Sequence, residues 1–210
     1  MTDDEYFTRP RDLDFMLNLA DLAADAVIWD PFRGTSNSTN YFISKGYLVF
    51  DSMGVDFFTF AAPPPGVTHI ITNPPFSAKR RFLLHTATWN LRITMILPTH
   101  AIQRDYFLKA VEDGGAYKHW LVVLPSKSLR FERNGRVAYT PYFKSCFVQC
   151  YPSQVYTHPV CPGHVQNVEV VYARYPLSAA AAGDARLLAH QQPGYRVAIG
   201  EVDTNVPISS

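Results

Sequence analysis

Five short apolar runs recur in the first 125 residues, and each stops at a polar residue or a proline. Ala26–Trp29 ends at Asp30-Pro31, Tyr47–Phe50 at Asp51, and Val67–Thr72 at Asn73-Pro74-Pro75-Phe76. Ile93–Leu97 ends at Pro98 and Trp120–Leu124 at Pro125. The runs are near-continuous rather than alternating, as expected of strands covered on both faces. Helix-period segments separate them. Residues 11–23 place Leu13, Met16, Leu17, Leu19, Ala20 and Ala23 at mostly three- and four-residue spacing, with Pro10 near the start. Ser38–Lys45 closes at Gly46, residues 77–90 form a helix after Phe76, and Ala101–Asp113 closes at Gly114-Gly115. This alternation predicts an α/β fold, a mostly parallel twisted sheet with helices on both faces. Ligands of such sheets sit beyond the carboxyl ends of the strands. Here those ends carry Asp30, Asp51, Asn73 and Pro98. Two later β-rich runs, Tyr142–Tyr151 and Val168–Tyr175, predict a C-terminal antiparallel hairpin that finishes the sheet.

The chain has 210 residues, 47% of them hydrophobic, enough for one domain with a sizeable core. That domain is expected over residues 1–176, with 177–210 an Ala-rich tail or short added element. No apolar run reaches the roughly 18 residues of a membrane span. Three cysteines are too few and too odd in number for a disulfide scaffold, and the acidic N-terminus is unlike a signal peptide. An intracellular protein is expected, cytoplasmic or nuclear, or virus-encoded and acting in a host cell. The net charge of +1 hides an asymmetry, because residues 79–136 hold 11 basic and four acidic side chains. Such a segment attracts an anionic partner, nucleic acid above all.

The most specific motif is Asn73-Pro74-Pro75-Phe76, directly after an apolar strand. It resembles the Asp/Asn/Ser-Pro-Pro-Tyr/Phe/Trp tetrapeptide of class I S-adenosylmethionine-dependent methyltransferases acting on exocyclic amines, chiefly the N6-adenine methyltransferases. The resemblance implies a Rossmann-like fold, S-adenosylmethionine as cofactor, and methyl transfer to N6 of adenine in DNA, with RNA close behind. The residue types suit that chemistry. A ring-conjugated amine is a poor nucleophile, and acceptors on Asn73 and the Pro74 carbonyl would hold its two N–H groups. The Pro74-Pro75 backbone is rigid and fixes those acceptors. Phe76 offers a stacking face for the target base, worth roughly 1–3 kcal/mol. Placement and electrostatics would then supply most of the rate, with no general base required.

Further segments match the same family. Asp30-Pro31-Phe32-Arg33-Gly34-Thr35-Ser36 resembles its Asp-Pro-Phe-x-Gly-x-Gly loop around the methionine end of the cofactor, with Ser36 replacing the second glycine. Asp51, 21 residues after Asp30, suits hydrogen bonding to ribose hydroxyls. Asp56 with Phe57 corresponds to the family's motif at the cofactor adenine. Tyr6-Phe7-Thr8-Arg9-Pro10 resembles the segment that closes over the cofactor, although Arg9 interrupts the usual Thr-Pro. The resemblance thus implies Thr8, Asp30, Phe32, Gly34, Asp51 and Asp56 on the cofactor, and Asn73, Pro74, Pro75 and Phe76 at the reacting amine. Lys79, Arg80 and Arg81 begin the helix after the tetrapeptide, while Arg130, Arg133 and Arg136 fall in the loop after Trp120–Leu124. Both groups would flank the site and hold phosphates while a base is flipped in.

Cys146, Cys150, His158, Cys161 and His164 lie close in sequence but lack a Cys-x-x-Cys pair, so core cysteines and loop histidines are expected and no metal. Little chain is left for target recognition, which points to a protein partner or a homodimer. Two rival readings stay open: methyl transfer to a protein glutamine or another amine, and a non-catalytic nucleic-acid-binding subunit that has lost the cofactor. Ser36 and Arg9 favour the latter.

Overall fold

The apolar runs assemble into one seven-stranded sheet in a computed structural model of the chain. The structure describes residues 6–33, 37–112, 117–125, 128–133, 136–138, 144–152 and 167–173. The elements are α1 (Pro10–Ala20), β1 (Val27–Trp29), α2 (Asn37–Ser44), β2 (Leu48–Phe50), β3 (His69–Thr72), α3 (Lys79–Thr86), β4 (Arg92–Pro98), α4 (Asp105–Glu112), β5 (Tyr117–Pro125), β6 (Phe131–Arg133), β7 (Arg136–Ala138), β8 (Ser145–Pro152) and β9 (Asn167–Ala173). The sheet order is β2-β1-β3-β4-β8-β5-β9. The α/β class and the mostly parallel sheet are as the sequence predicts.

The antiparallel part takes a different form from a terminal hairpin. Strand β8 runs against both β4 and β5, with Pro98 opposite Ser145 and Val123 opposite Phe147. Strand β9 lies beyond β5 and parallel to it, with no pairing to β8. Composition explains the placement. Cys146, Phe147 and Val148 are fully buried on alternating faces, so β8 is apolar on both sides and takes an interior position. The segment carrying Arg130, Arg133 and Arg136 is also no plain loop, since β6 and β7 pair as a short antiparallel hairpin.

Side chains of period two split the core into two layers. Ile28, Ile71, Ile96, Leu121, Val123 and Phe147 face α1 and α2, meeting Leu13, Phe15, Met16 and Phe42. Trp29, Ile70, Ile93, Met95, Trp120 and Val122 face α3 and α4, meeting Phe82, Leu83, Phe107 and Ala110. Cys146 and Cys150 lie together in this second layer, and burial pushes the Cys146 thiol up to about 12. Cys161, His158 and His164 lie outside the described residues, as do 174–210. Gly46 ends α2 at φ +85°, the left-handed conformation that the predicted glycine cap requires. The helix expected over 101–113 is interrupted. A 3-10 turn, Thr99–Gln103, is followed by Arg104 in extended conformation before α4 begins. Among the described residues no helix is long and apolar enough to cross a membrane.

Candidate active site

Strands β1, β2 and β3 are neighbours running the same way, so Asp30, Asp51 and Asn73 arrive at one edge of the sheet. Asp30 is 4% exposed and joins three elements there. Its Oδ1 accepts from the Thr72 hydroxyl (2.6 Å) and from the Phe32 N–H (3.1 Å), and its Oδ2 accepts from the Ser38 hydroxyl at the start of α2. Burial raises the pKa of this carboxyl, opposed by those hydrogen bonds and by the positive charge of Arg33. With three protein donors on a buried carboxylate, Asp30 is a brace for the loop.

Phe32 anchors the same loop from below. Its ring packs against Phe57 (5.2 Å between centroids), Phe58 (6.0 Å) and Phe82 (5.6 Å). Phe57 also meets Trp29 at 5.3 Å and Trp89 at 5.4 Å, and Trp29 is fully buried. Aromatic pairs of this kind contribute about 0.5–1.5 kcal/mol each beyond the area they bury. Gly34 lies outside the described residues.

Asp51 is an exposed carboxylate, and its Oδ1 receives both the Met53 N–H (2.9 Å) and Arg33 Nη1 (2.8 Å). Asp56 is exposed as well and caps the 3-10 turn Phe57–Thr59 by accepting from the Phe58 N–H at 3.0 Å. The turn orders the aromatic floor beside Asp51.

Asn73 is held from the opposite side. Its Nδ2 donates to the Tyr6 carbonyl at 3.3 Å, while its Oδ1 is buried and has no hydrogen-bond partner among the described residues. Pro74 is buried, and Pro75 and Phe76 are half-buried. The Tyr6 ring lies 5.6 Å from Phe76 and 6.1 Å from Phe131. Phe7 pairs with Glu132 through two backbone hydrogen bonds of 2.9 and 3.0 Å. The N-terminal strap that carries Thr8 is therefore stitched both to Asn73 and to the β6–β7 hairpin.

The expected phosphate-binding cations divide. Lys79 Nζ donates to the Phe76 carbonyl at 2.7 Å, and the Arg81 guanidinium stacks 3.9 Å from the Phe58 ring. Arg80 is exposed and, with Arg81, Leu84 and His85, lines a shallow depression of about 460 Å³. Arg130 is exposed just before β6, and Arg133 lies on β6, its side chain outside the described set. Sequence reasoning missed Thr72, Ser38 and Arg33 as the partners that build the site. Thr72 was findable as the hydroxyl immediately before the tetrapeptide; the other two depend on a loop conformation that spacing does not encode.

No protein-family profile matches the chain, and no curated protein matches it by sequence. Solved structures do resemble it. A protein of Listeria monocytogenes assigned to the class I S-adenosylmethionine-dependent methyltransferases aligns with a TM-score of 0.55 at 12% identity, over 90% of this chain and 72% of that one. A protein of Vibrio vulnificus assigned as the modification subunit of a type I restriction enzyme aligns with a TM-score of 0.54 at 10% identity. That alignment covers 92% of this chain and 54% of the other, so this chain spans about half of that subunit. At such identities the likeness is one of fold.

Proposed function

We propose that this chain is an S-adenosylmethionine-dependent methyltransferase acting on the exocyclic N6 amine of adenine in a nucleic acid, DNA ahead of RNA. The observation that carries the reading is the state of Asn73. Its amide nitrogen is consumed by Tyr6, and its carbonyl oxygen is left buried without a donor. A buried unpaired acceptor costs about 1–3 kcal/mol, which a bound amine would recover. The oxygen sits where two following prolines fix the next carbonyl, Pro74, as a second acceptor.

The residues around it fit the cofactor. Asp51 presents a carboxylate for ribose hydroxyls, the Asp56–Thr59 turn and Phe32 border the adenine side, and Gly34 and Thr8 would lie along the methionine end. When bound, S-adenosylmethionine supplies an electrophilic methyl group on a sulfonium. Asn73 and Pro74 orient the amine nitrogen toward that methyl, Phe76 supports the base, and Asp30 keeps the loop in register with β3. The basic groups at 79–81 and on the β6–β7 hairpin flank this edge and suit phosphates. The fold likeness to the restriction modification subunit supports a nucleic-acid target.

A second reading has one observation in its favour. Arg33 already occupies Asp51, so a cofactor must share or displace that ion pair. A non-catalytic subunit would tolerate a permanent pair there. One experiment separates the readings: radiolabelled methyl transfer to DNA, RNA and protein in parallel, with nucleoside analysis, for wild type and Asn73→Ala. N6-methyladenine from wild type, lost in Asn73→Ala with S-adenosylhomocysteine binding retained, supports the enzyme reading. Full activity in Asn73→Ala sinks the role of Asn73, and absence of cofactor binding in wild type favours the subunit.

A further inference from the structure

We propose that Lys79, His100 and Arg104 form a phosphodiester-binding subsite beside Phe76, one that grips the nucleic-acid strand next to the target base. The inference rests on the nucleic-acid reading above and adds two residues, His100 and Arg104, to the surface that reading uses.

Topology brings the three together. Strands β3 and β4 are parallel neighbours, with Thr72 opposite Met95, so the segments leaving their carboxyl ends run side by side. Lys79 comes from the first segment, six residues after Asn73; its Nζ is set by the Phe76 carbonyl and lies 5.8 Å from the Phe76 ring centroid. His100 and Arg104 come from the second, both exposed. His100 sits on the 3-10 turn directly after Pro98, and Arg104 occupies the extended break before α4. That turn is pinned to the sheet edge by the Thr99 N–H donating to the Lys144 carbonyl at 2.7 Å.

The electrostatics agree with the topology. The His100 imidazole is held below its ordinary pKa first by partial burial and then by the positive charges of Lys79 and Arg104. Asp105 is the single acidic residue between positions 79 and 111, so little negative charge in this stretch offsets the cluster. Gathering like charges costs free energy, which an anion between them returns. Close by, the Tyr106 hydroxyl is shielded from water and has no hydrogen-bond partner among the described residues, within electrostatic reach of Arg104. A phosphate oxygen needs such donors, and it carries no base identity, so the subsite contributes affinity and register rather than sequence choice.

The test uses the full chain and fluorescein-labelled adenine-containing oligonucleotides, one DNA and one RNA, read by anisotropy across a salt series. Arg104→Gln and His100→Gln are each expected to weaken binding about five- to tenfold, and Arg104→Gln to lower the salt slope by about 1. Lys109→Gln, on the last turn of α4, is the control for the general positive field and is expected to stay within twofold. Equal losses in Arg104→Gln and Lys109→Gln overturn the subsite while leaving nucleic-acid binding intact. If the wild type binds neither oligonucleotide, the nucleic-acid reading fails instead. A pyrophosphate titration followed by the His100 imidazole NMR resonance then decides the subsite. A rise in its pKa that Arg104→Gln removes supports an anion site, and an unmoved resonance overturns it.

Discussion

Arg33, in the loop after β1, reaches Asp51 at the end of β2, with Nη1 2.8 Å from Oδ1. The carboxylate is 44% exposed, so the pair adds little to stability, on the order of 0–1 kcal/mol. Its consequence is orientation. Arg33 and the Met53 N–H both engage Oδ1, which fixes the carboxylate plane. If Arg33 works through Asp51, Arg33→Gln and Asp51→Asn will each weaken S-adenosylhomocysteine binding about tenfold by calorimetry. The double variant will then be no worse than Asp51→Asn alone. Additive losses would mean that Arg33 contacts the ligand independently.

Asn73→Asp is the informative change at the proposed reacting centre. An aspartate cannot donate to the Tyr6 carbonyl, so a carboxylate oxygen would face that carbonyl where Nδ2 now donates at 3.3 Å. The strap should lift, and methyl transfer should fall by about 100-fold, equivalent to about 2.7 kcal/mol. Amide exchange at Phe7, whose N–H is bonded to the Glu132 carbonyl, should accelerate in the same variant. An unchanged Phe7 amide would show that the strap is held without Asn73.

Thr72→Val keeps shape and removes the hydroxyl that donates to buried Asp30 at 2.6 Å. The cost should be about 1–3 kcal/mol in urea denaturation, with Thr72→Ser close to wild type. Equal loss in both variants would assign the effect to packing instead of the hydrogen bond.

Two buried titratable groups oppose each other in acid. Burial raises Asp12 from 3.8 to about 6, with Arg11 and Arg9 opposing, and burial and then Arg92 lower His69 from 6.5 to about 4. Above pH 6 the folded state carries Asp12 ionised at a cost of roughly 3 kcal/mol. That cost is relieved as pH falls from 6 toward 4, because the folded state then binds the proton more tightly. His69 does the reverse over 6.5 to 4, since the unfolded chain takes up its proton first. The two contributions therefore offset each other between pH 4 and 6.5. Relative to wild type, Asp12→Asn should be more stable at pH 7 and lose that advantage on acidification, whereas His69→Gln should gain on wild type as pH falls. Parallel pH profiles for the two variants would contradict the assignment.

The residues that ended apolar runs were the legible ones. Asp30, Asp51 and Asn73 stand at one edge because strand ends in a parallel sheet must share an edge, and run length alone identified the strands. The place of β8 was not legible, since an apolar run specifies burial without naming its neighbours. The break at Arg104 was equally hidden, because helical spacing continues through it. That Asp30 also braces the loop was not legible, because it required Thr72 and Ser38 to be located in space. The orphaned Asn73 oxygen could not be read from sequence at all, because it depends on a backbone carbonyl 67 positions away.

The insertion of β8 between β4 and β5 has a consequence for synthesis of the chain. Ile93 and its partner Cys150 are separated by 57 residues, so the strands that bear Asp30, Asp51 and Asn73 leave the ribosome well before the strand that joins the two halves of the sheet. Until then β4 carries an unpaired apolar edge, which favours slow closure and invites wrong pairing. Closure of the sheet is thereby timed to the later part of the chain, which supplies none of the proposed reacting groups.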